Sequence, residues 1–326
     1  MEKPVPVVIC DDSKMARRHM VRALSGWNVD ITLAEHGLEG LEAIRNGKGD
    51  LLFLDLNMPF MDGYDVLERI RRDDLPTMVI VVSGDVQPDA RERVMALGAI
   101  DFIKKPFTQA QLTDVIQHYG ILAEVNKPEP VTAILEAIEL PDYYQEVANI
   151  AMGRAGERLS QLLHSFVHVP IPVVKLVTYP VLYKKFENEQ ADNSRMASQG
   201  FVGSGIAGEA ILTLKEGSFE PLSQLMGKTF SESEVFENEL MLEMANTLIG
   251  AFLQNFAEML DIGFSWSNPI LLRSGDHPMA GAEKWSEAFS ITLDYSQVEA
   301  KVGCELMLIF SPESTTALRR LGNYLK

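Results

Sequence analysis

The chain is short of cysteine, short of cations and without a long apolar run, and each shortage excludes a class of protein. Only Cys10 and Cys304 are present, far apart and without metal-ligand spacing. That rules out a disulfide framework and suits a reduced, cytoplasmic protein. Lysine and arginine total 29 against 46 acidic residues, a formal net charge of −17. Nucleic acids and anionic membranes are bound through basic stripes, so neither is an expected partner. The opening residues, MEKPVPVVICDD, reach two aspartates before a secretory apolar segment could form. No apolar stretch is long enough to span a bilayer. What remains is a soluble, intracellular chain whose 326 residues, 46% hydrophobic, suffice for two domains with cores of their own.

The first 120 or so residues alternate short apolar runs with amphipathic stretches, as a doubly wound parallel sheet requires. Candidate strands are Val7–Cys10, Ile31–Ala34, Leu51–Leu54, Met78–Val82 and Asp101–Ile103. The first, third and fourth are nearly all apolar, which fits strands covered by helices on both faces. Tyr64–Ile70 shows helical spacing. Residues 122–130 carry two prolines and little periodicity, and read as a linker between a domain at 1–121 and another at 131–326. A short helix is expected over 131–139.

The second region repeats itself. Glu146, Asn149 and Gly153 recur 97 residues later as Glu243, Asn246 and Gly250. Leu212, Leu222 and Leu225 recur 96 later as Leu308, Leu318 and Leu321. Each half reads as a long helix, extended segments, then a helix. The segments are Val173–Val177 and Ala210–Leu214, then Phe289–Leu293 and Leu306–Phe310. Two pseudo-symmetric α+β halves sharing one antiparallel sheet are expected.

Ligand groups of an open parallel sheet gather at the carboxyl ends of its strands. Asp11 and Asp12 follow the first candidate strand, Asp55 the third. Three carboxylates at one edge repel one another unless a hard cation such as magnesium joins them. A carboxylate on magnesium can attack a phosphoryl group, giving an aspartyl phosphate. Ser83 ends the fourth strand, and Lys104 or Lys105 follows the fifth; these can bind phosphoryl oxygens, Lys105 being favoured because it precedes Pro106.

Asp11-Asp12, Asp55-Leu56-Asn57-Met58-Pro59 with Gly63, Ser83-Gly84 and Lys105-Pro106-Phe107-Thr108 together resemble a response-regulator receiver of the CheY type over about residues 5–120. The resemblance implies a flavodoxin-like fold. It implies Asp55 as phosphoacceptor, magnesium held by Asp11, Asp12, Asp55 and the Asn57 carbonyl, and a histidine kinase as phosphodonor. It also implies that Phe102 is a switch aromatic that turns inward as Ser83 engages the phosphoryl group.

Glu146 and Asn149 are three apart in a helical pattern, as are Glu243 and Asn246, so each pair shares one helix face. Such a pair lacks a metal and a nucleophile of its own. It makes sense on an exposed face, inserted into another protein's site: the amide fixes an attacking water, the carboxylate pairs with the partner's lysine. Asp142, Glu146, Asn149, Gly153, Ala155 and Leu159 resemble the signature of the CheC/CheX/FliY phosphatase family. The second copy keeps Glu243, Asn246 and Gly250 but has Glu239, Phe252 and Phe256 where the first has Asp142, Ala155 and Leu159. Two copies resemble CheC more than CheX.

The implied function is dephosphorylation of a separate CheY-like receiver, with Glu146, Asn149, Glu243 and Asn246 catalytic. Phosphorylation of Asp55 would regulate it, through docking of the receiver or through dimerisation of the chain. A docking scaffold resembling flagellar switch proteins, or a phosphate sink draining a shared kinase through Asp55, are the competing readings. His164 and His168, four apart, lack the rest of a zinc motif and read as helix-end residues. Leu240–Met244 reads as core.

Overall fold

A computed structural model describes residues 3–122, 140–192, 194–273, 276, 278, 285 and 287–324. The chain divides into two compact units, Met1–Glu146 and Val147–Lys326. The expected helix at 131–139 and most of the expected linker lie outside the described residues.

The first unit alternates strand and helix: β1 (Val5–Cys10), α1 (Lys14–Ala23), β2 (Val29–Ala34), α2 (Gly37–Arg45), β3 (Leu51–Leu54), α3 (Gly63–Arg72), β4 (Met78–Ser83), α4 (Pro88–Ala96), β5 (Asp101–Lys104) and α5 (Gln109–Tyr119). The strands form one parallel sheet in the order β2-β1-β3-β4-β5. β3 is buried along its whole length because apolar layers cover both faces. Val8, Leu52, Leu54, Val79 and Val81 pack into one layer, and Val7, Ile9, Phe53, Ile80 and Val82 into the other. Every expected strand is present, extended by at most two residues at an end.

Local chemistry ends the helices near the strand tips. Ser13 accepts from the Ala16 N–H at the start of α1, and Asp62 from the Asp65 N–H at the start of α3. Gly63 is required by close approach: a Cβ there would come within 2.4 Å of the Asp55 carbonyl oxygen.

The second unit contains α6 (Leu140–Leu163, whose first turns belong to the first unit), β6 (Val173–Val177), α7 (Tyr179–Ala191), β7 (Arg195–Gly203), β8 (Ile206–Leu214), α8 (Phe219–Leu225), α9 (Glu234–Met259), β9 (Ser265–Trp266), β10 (Ile270–Leu272), β11 (Ala288–Gln297), β12 (Val302–Phe310) and α10 (Ser314–Tyr324). The sheet is antiparallel, in the order β10-β7-β8-β12-β11-β6, with β9 also on β7. Its register carries the repeat. Ile211 lies opposite Met307, its own equivalent 96 residues on; Leu212 opposite Leu306 exchanges with Ala210 opposite Leu308. A pseudo-two-fold axis therefore passes between β8 and β12. The halves also trade edges, since β6 pairs with β11 and β10 with β7.

α7 packs on the sheet through Leu182 and Phe186, against Met196, Ile211, Met307 and Ile309. α6 and α9 are tied together where Arg154 donates to Asn255 Oδ1 at 3.2 Å. Tyr295 of β11 donates to the Met152 carbonyl of α6 at 3.3 Å, and Phe256 of α9 meets Phe310 of β12 with ring centres 6.0 Å apart. The Leu240–Met244 stretch is core at Leu240, Met241 and Met244. His164 and His168 do not share a helix face: His164 lies past the end of α6 with φ +47°, and His168 bridges to Ser296.

Candidate functional site

At the carboxyl end of the parallel sheet, β1 delivers Asp11 and Asp12, β3 delivers Asp55, and the turn after β5 delivers Lys105 through a cis Lys105–Pro106 peptide. Each of the three aspartates offers a carboxylate oxygen, and these lie within 4.8 Å of one another. Lys105 Nζ stands 2.7 Å from Asp11 Oδ2 and 3.1 Å from Asp55 Oδ1. Lys104 is exposed and Lys105 only 3% so, which settles the choice between them. Burial raises the pKa of Asp12 to about 8, aided by Asp11 and Asp55. Burial also holds Asp55 above the usual carboxylate range, although Lys105 opposes it. Lys105 is itself held well above an ordinary lysine, because Asp11, Asp55 and Glu146 outweigh its desolvation. One ammonium thus serves an excess of negative charge, and a divalent cation among the three aspartates fits that donor set. The Asn57 N–H donates to Asp55 Oδ2 at 2.9 Å, which fixes the rotamer of that carboxylate. Ser83 is fully buried and Phe102 is turned inward against the core.

Within the first unit, Lys105 Nζ also lies 3.4 Å from Glu146 Oε1. Burial raises the pKa of Glu146, with Lys105 pulling the other way.

The two Glu-x-x-Asn copies differ in setting. α9 is amphipathic: Leu240, Met244, Leu248, Phe252 and Phe256 face the core, while Glu239, Asn246 and Gln254 are exposed. Glu243 is half-buried on that outer stripe and is paired with Lys228. Phe252 and Phe256 stack on each other inside, so the residues that depart from the first copy's pattern lie off the face bearing Asn246. α6 is buried on every side from Glu146 to Gly153. Asn149 is 4% exposed and its Oδ1 has no hydrogen-bond partner. The expectation that both asparagines stand on exposed faces is therefore corrected: it holds for Asn246 and not for Asn149. Tyr143, Tyr144, Val147, Ala148, Ile150, Ala151 and Met152 bury the other faces of α6, and the face that carries Glu146 and Asn149 is buried with them.

A family model described as the response regulator receiver domain matches residues 7–117. Residues 7–117 are a response-regulator receiver domain. The response regulator MprA of Mycobacterium sp. (strain KMS) is 36% identical over 113 residues, which are 33% of this chain and 47% of that protein. The chain spans about half the length of this curated relative. Among solved structures, the receiver domain of the response regulator NarL from Mycobacterium tuberculosis is 32% identical, covering 36% of this chain and 97% of that one, with a TM-score of 0.34. Thermotoga maritima FliY aligns at 17% identity over 59% of this chain and all of that one, with a TM-score of 0.44.

The receiver domain has supports that motif reading passed over. Arg17 is buried and donates to the carbonyls of Asp11, at 2.7 Å, and Asp12, at 3.2 Å, while pairing with Glu35 at 2.5 Å. The Ser13 N–H donates to Asp11 Oδ1 at 2.9 Å. Together they set the loop that aims both aspartates. The available signal was an arginine in line with Met20, Val21 and Leu24 on the apolar stripe of α1. In the second unit, Lys228 was likewise missed; nothing in its local pattern points at Glu243, fifteen residues away. Among the described residues no helix is long and apolar enough to cross a membrane.

Proposed function

We propose that this chain is a two-component signalling protein in which the receiver domain regulates a CheC-like unit that removes phosphate from CheY-like receivers. The observation that carries the reading is the pair of Glu-x-x-Asn helices, related by a pseudo-two-fold axis, in a chain that also holds a receiver's phosphoacceptor cluster. The exposed Asn246 beside Glu243 supports it further.

In the receiver, Asp55 is the phosphoacceptor, charged by a histidine kinase. Asp11, Asp12, Asp55 and the Asn57 carbonyl would hold Mg2+, which neutralises charge on the phosphoryl oxygens when bound. Lys105 binds a phosphoryl oxygen, Ser83 a second, and Phe102 reports the change. In the second unit, Asn246 or Asn149 fixes a water in line with a substrate receiver's acyl phosphate. Glu243 or Glu146 pairs with that receiver's lysine and sets the approach. Water attacks phosphorus, the bond to the aspartate oxygen breaks, and the carboxylate and inorganic phosphate leave. An amide cannot act as a base near neutral pH, so its contribution is alignment, which phosphoryl transfer rewards heavily.

The test is loss of radiolabelled phosphate from a panel of purified receivers. The parent protein accelerates it for at least one receiver, and the Asn149→Ala, Asn246→Ala double variant does not. Equal decay with parent and double variant would dismiss catalysis. Receiver binding without acceleration would select the scaffold reading, and phosphate drained through Asp55 alone the sink.

A further inference from the structure

The function just proposed asks Glu243 to meet the lysine of an incoming receiver, and that carboxylate already has a lysine. Lys228 Nζ is bonded to Glu243 Oε2. The backbone of Lys228 is held in place. It follows the end of α8, where the Gly227 N–H donates to the Gln224 carbonyl at 3.0 Å and the Lys228 N–H to the Ser223 carbonyl at 2.8 Å. Gly227 has φ +67°, the left-handed turn that ends a helix and that glycine takes without strain. Ser223 and Leu222, on which this turn is built, are buried. The turn therefore fixes the Lys228 backbone within reach of Glu243 on α9. Both partners are partly open to solvent, with the side chains 37% and 40% exposed.

The surroundings are those of a docking face. Asn246, one turn along from Glu243, is exposed. Gly250, one turn further, would meet nothing within 4 Å if it carried a Cβ, so no packing inside the described residues demands a glycine there. The repeat does not carry this lysine in both copies, because the residue 97 positions before Lys228 is Val131.

We propose that Lys228 is an intrachain competitor for the substrate lysine. It occupies Glu243 in the resting chain, and a receiver gains the second site only by exchanging its own lysine for Lys228. The proposal rests on the phosphatase reading for its substrate, but the competition is a binding property and can be measured apart from hydrolysis. An ion pair this exposed is weak, so the exchange is easy and the lysine sets a threshold rather than a block. The consequence is selectivity. A receiver whose lysine is well placed displaces Lys228, and a receiver that offers a poorer cation does not.

The experiment uses the full chain carrying Asn149→Ala, so that only the second site reports, with and without Lys228→Met. The probe is a CheY-like receiver activated with beryllofluoride and magnesium for binding, and its phosphorylated form for turnover. Removing the competitor should tighten binding and lower KM by about two- to five-fold, the range open to a solvent-exposed pair, with kcat unchanged. The gain should vanish at high ionic strength, because it is a charge effect. Lys228→Arg, which keeps the charge and can hold the carboxylate with two donors, should bind no better than the parent. A structural role predicts otherwise: Lys228→Met would lower the unfolding temperature and weaken binding at every salt concentration. Unchanged or weaker binding, or a gain that persists in high salt, would overturn the proposal. Tighter binding with no hydrolysis by either protein would leave the competition standing and remove the phosphatase reading instead.

Discussion

The two copies of one motif have been put to different uses of solvent. α9 keeps an outer stripe, with Asn246 exposed and Glu243 half-open, whereas α6 is buried around Asn149 and Glu146. By pattern alone the first copy is the better match to the phosphatase signature, and the second, with its two phenylalanines, the doubtful one. The structure reverses that ranking for access. Phe252 and Phe256 are core residues stacked under the helix, and their size has no bearing on the face that carries Asn246. The glutamates have lysines in common: Glu146 lies by Lys105, and Glu243 is held by Lys228. A motif therefore specifies which side chains share a helix face, but not whether that face meets water.

The largest expected effect comes from splitting the copies. Toward a separate phosphorylated receiver, Asn246→Ala should cost about 100-fold in kcat/KM, the scale of a lost positioning contact. Asn149→Ala should leave that activity within roughly two-fold, because its side chain is closed off. Equal losses from the two changes, measured by phosphate release, would mean that α6 opens in solution and that the comparison fails.

A smaller effect sharpens the role of Lys105, which serves Asp11, Asp55 and Glu146 at once. Asp12→Asn removes one of the clustered carboxylates. Without a divalent cation the variant should unfold at a higher temperature than the parent, since the burial of a carboxylate that raises Asp12, aided by repulsion from Asp11 and Asp55, no longer opposes folding. Magnesium should raise the parent's unfolding temperature and have little effect on the variant. A variant that melts lower than the metal-free parent would show that the buried Asp12 carboxyl is not a cost to the fold.

The smallest effect tests the open stripe of α9. Gly250→Ala should stabilise the chain by about 1 kcal/mol, the helix propensity difference, because the added methyl meets nothing. The same change should weaken receiver binding if a partner's backbone approaches there. Gly208→Ala is the contrasting control: its Cβ would fall 2.5 Å from the Ile309 carbonyl oxygen, and denaturant melts should show a loss of stability.

Much of this was legible before any coordinates. The strands of the receiver domain could be read because strands buried on both faces must be apolar throughout, and the chain pauses at polar residues between them. Asp11, Asp12, Asp55, Ser83 and Lys105 follow strand ends, and an open parallel sheet brings its strand ends together, so position along the chain was enough to gather them. The repeat, 97 residues in the helix motif and 96 downstream of it, announced two equivalent halves, and the register of Ile211 on Met307 is its direct expression. The burial of Asn149 could not be read. By its pattern the Glu146 and Asn149 face is the polar one, and a helix's own pattern does not say what packs on its polar face.

The sequence by itself determined which residues carry chemistry and how they are spaced along each element, because strand and helix periods are properties of the local backbone. Only the tertiary structure decided which of the two asparagines stays in solvent and that Lys228 reaches Glu243. Those outcomes turn on burial and on charges brought together from distant parts of the chain, and neither is encoded in any single segment.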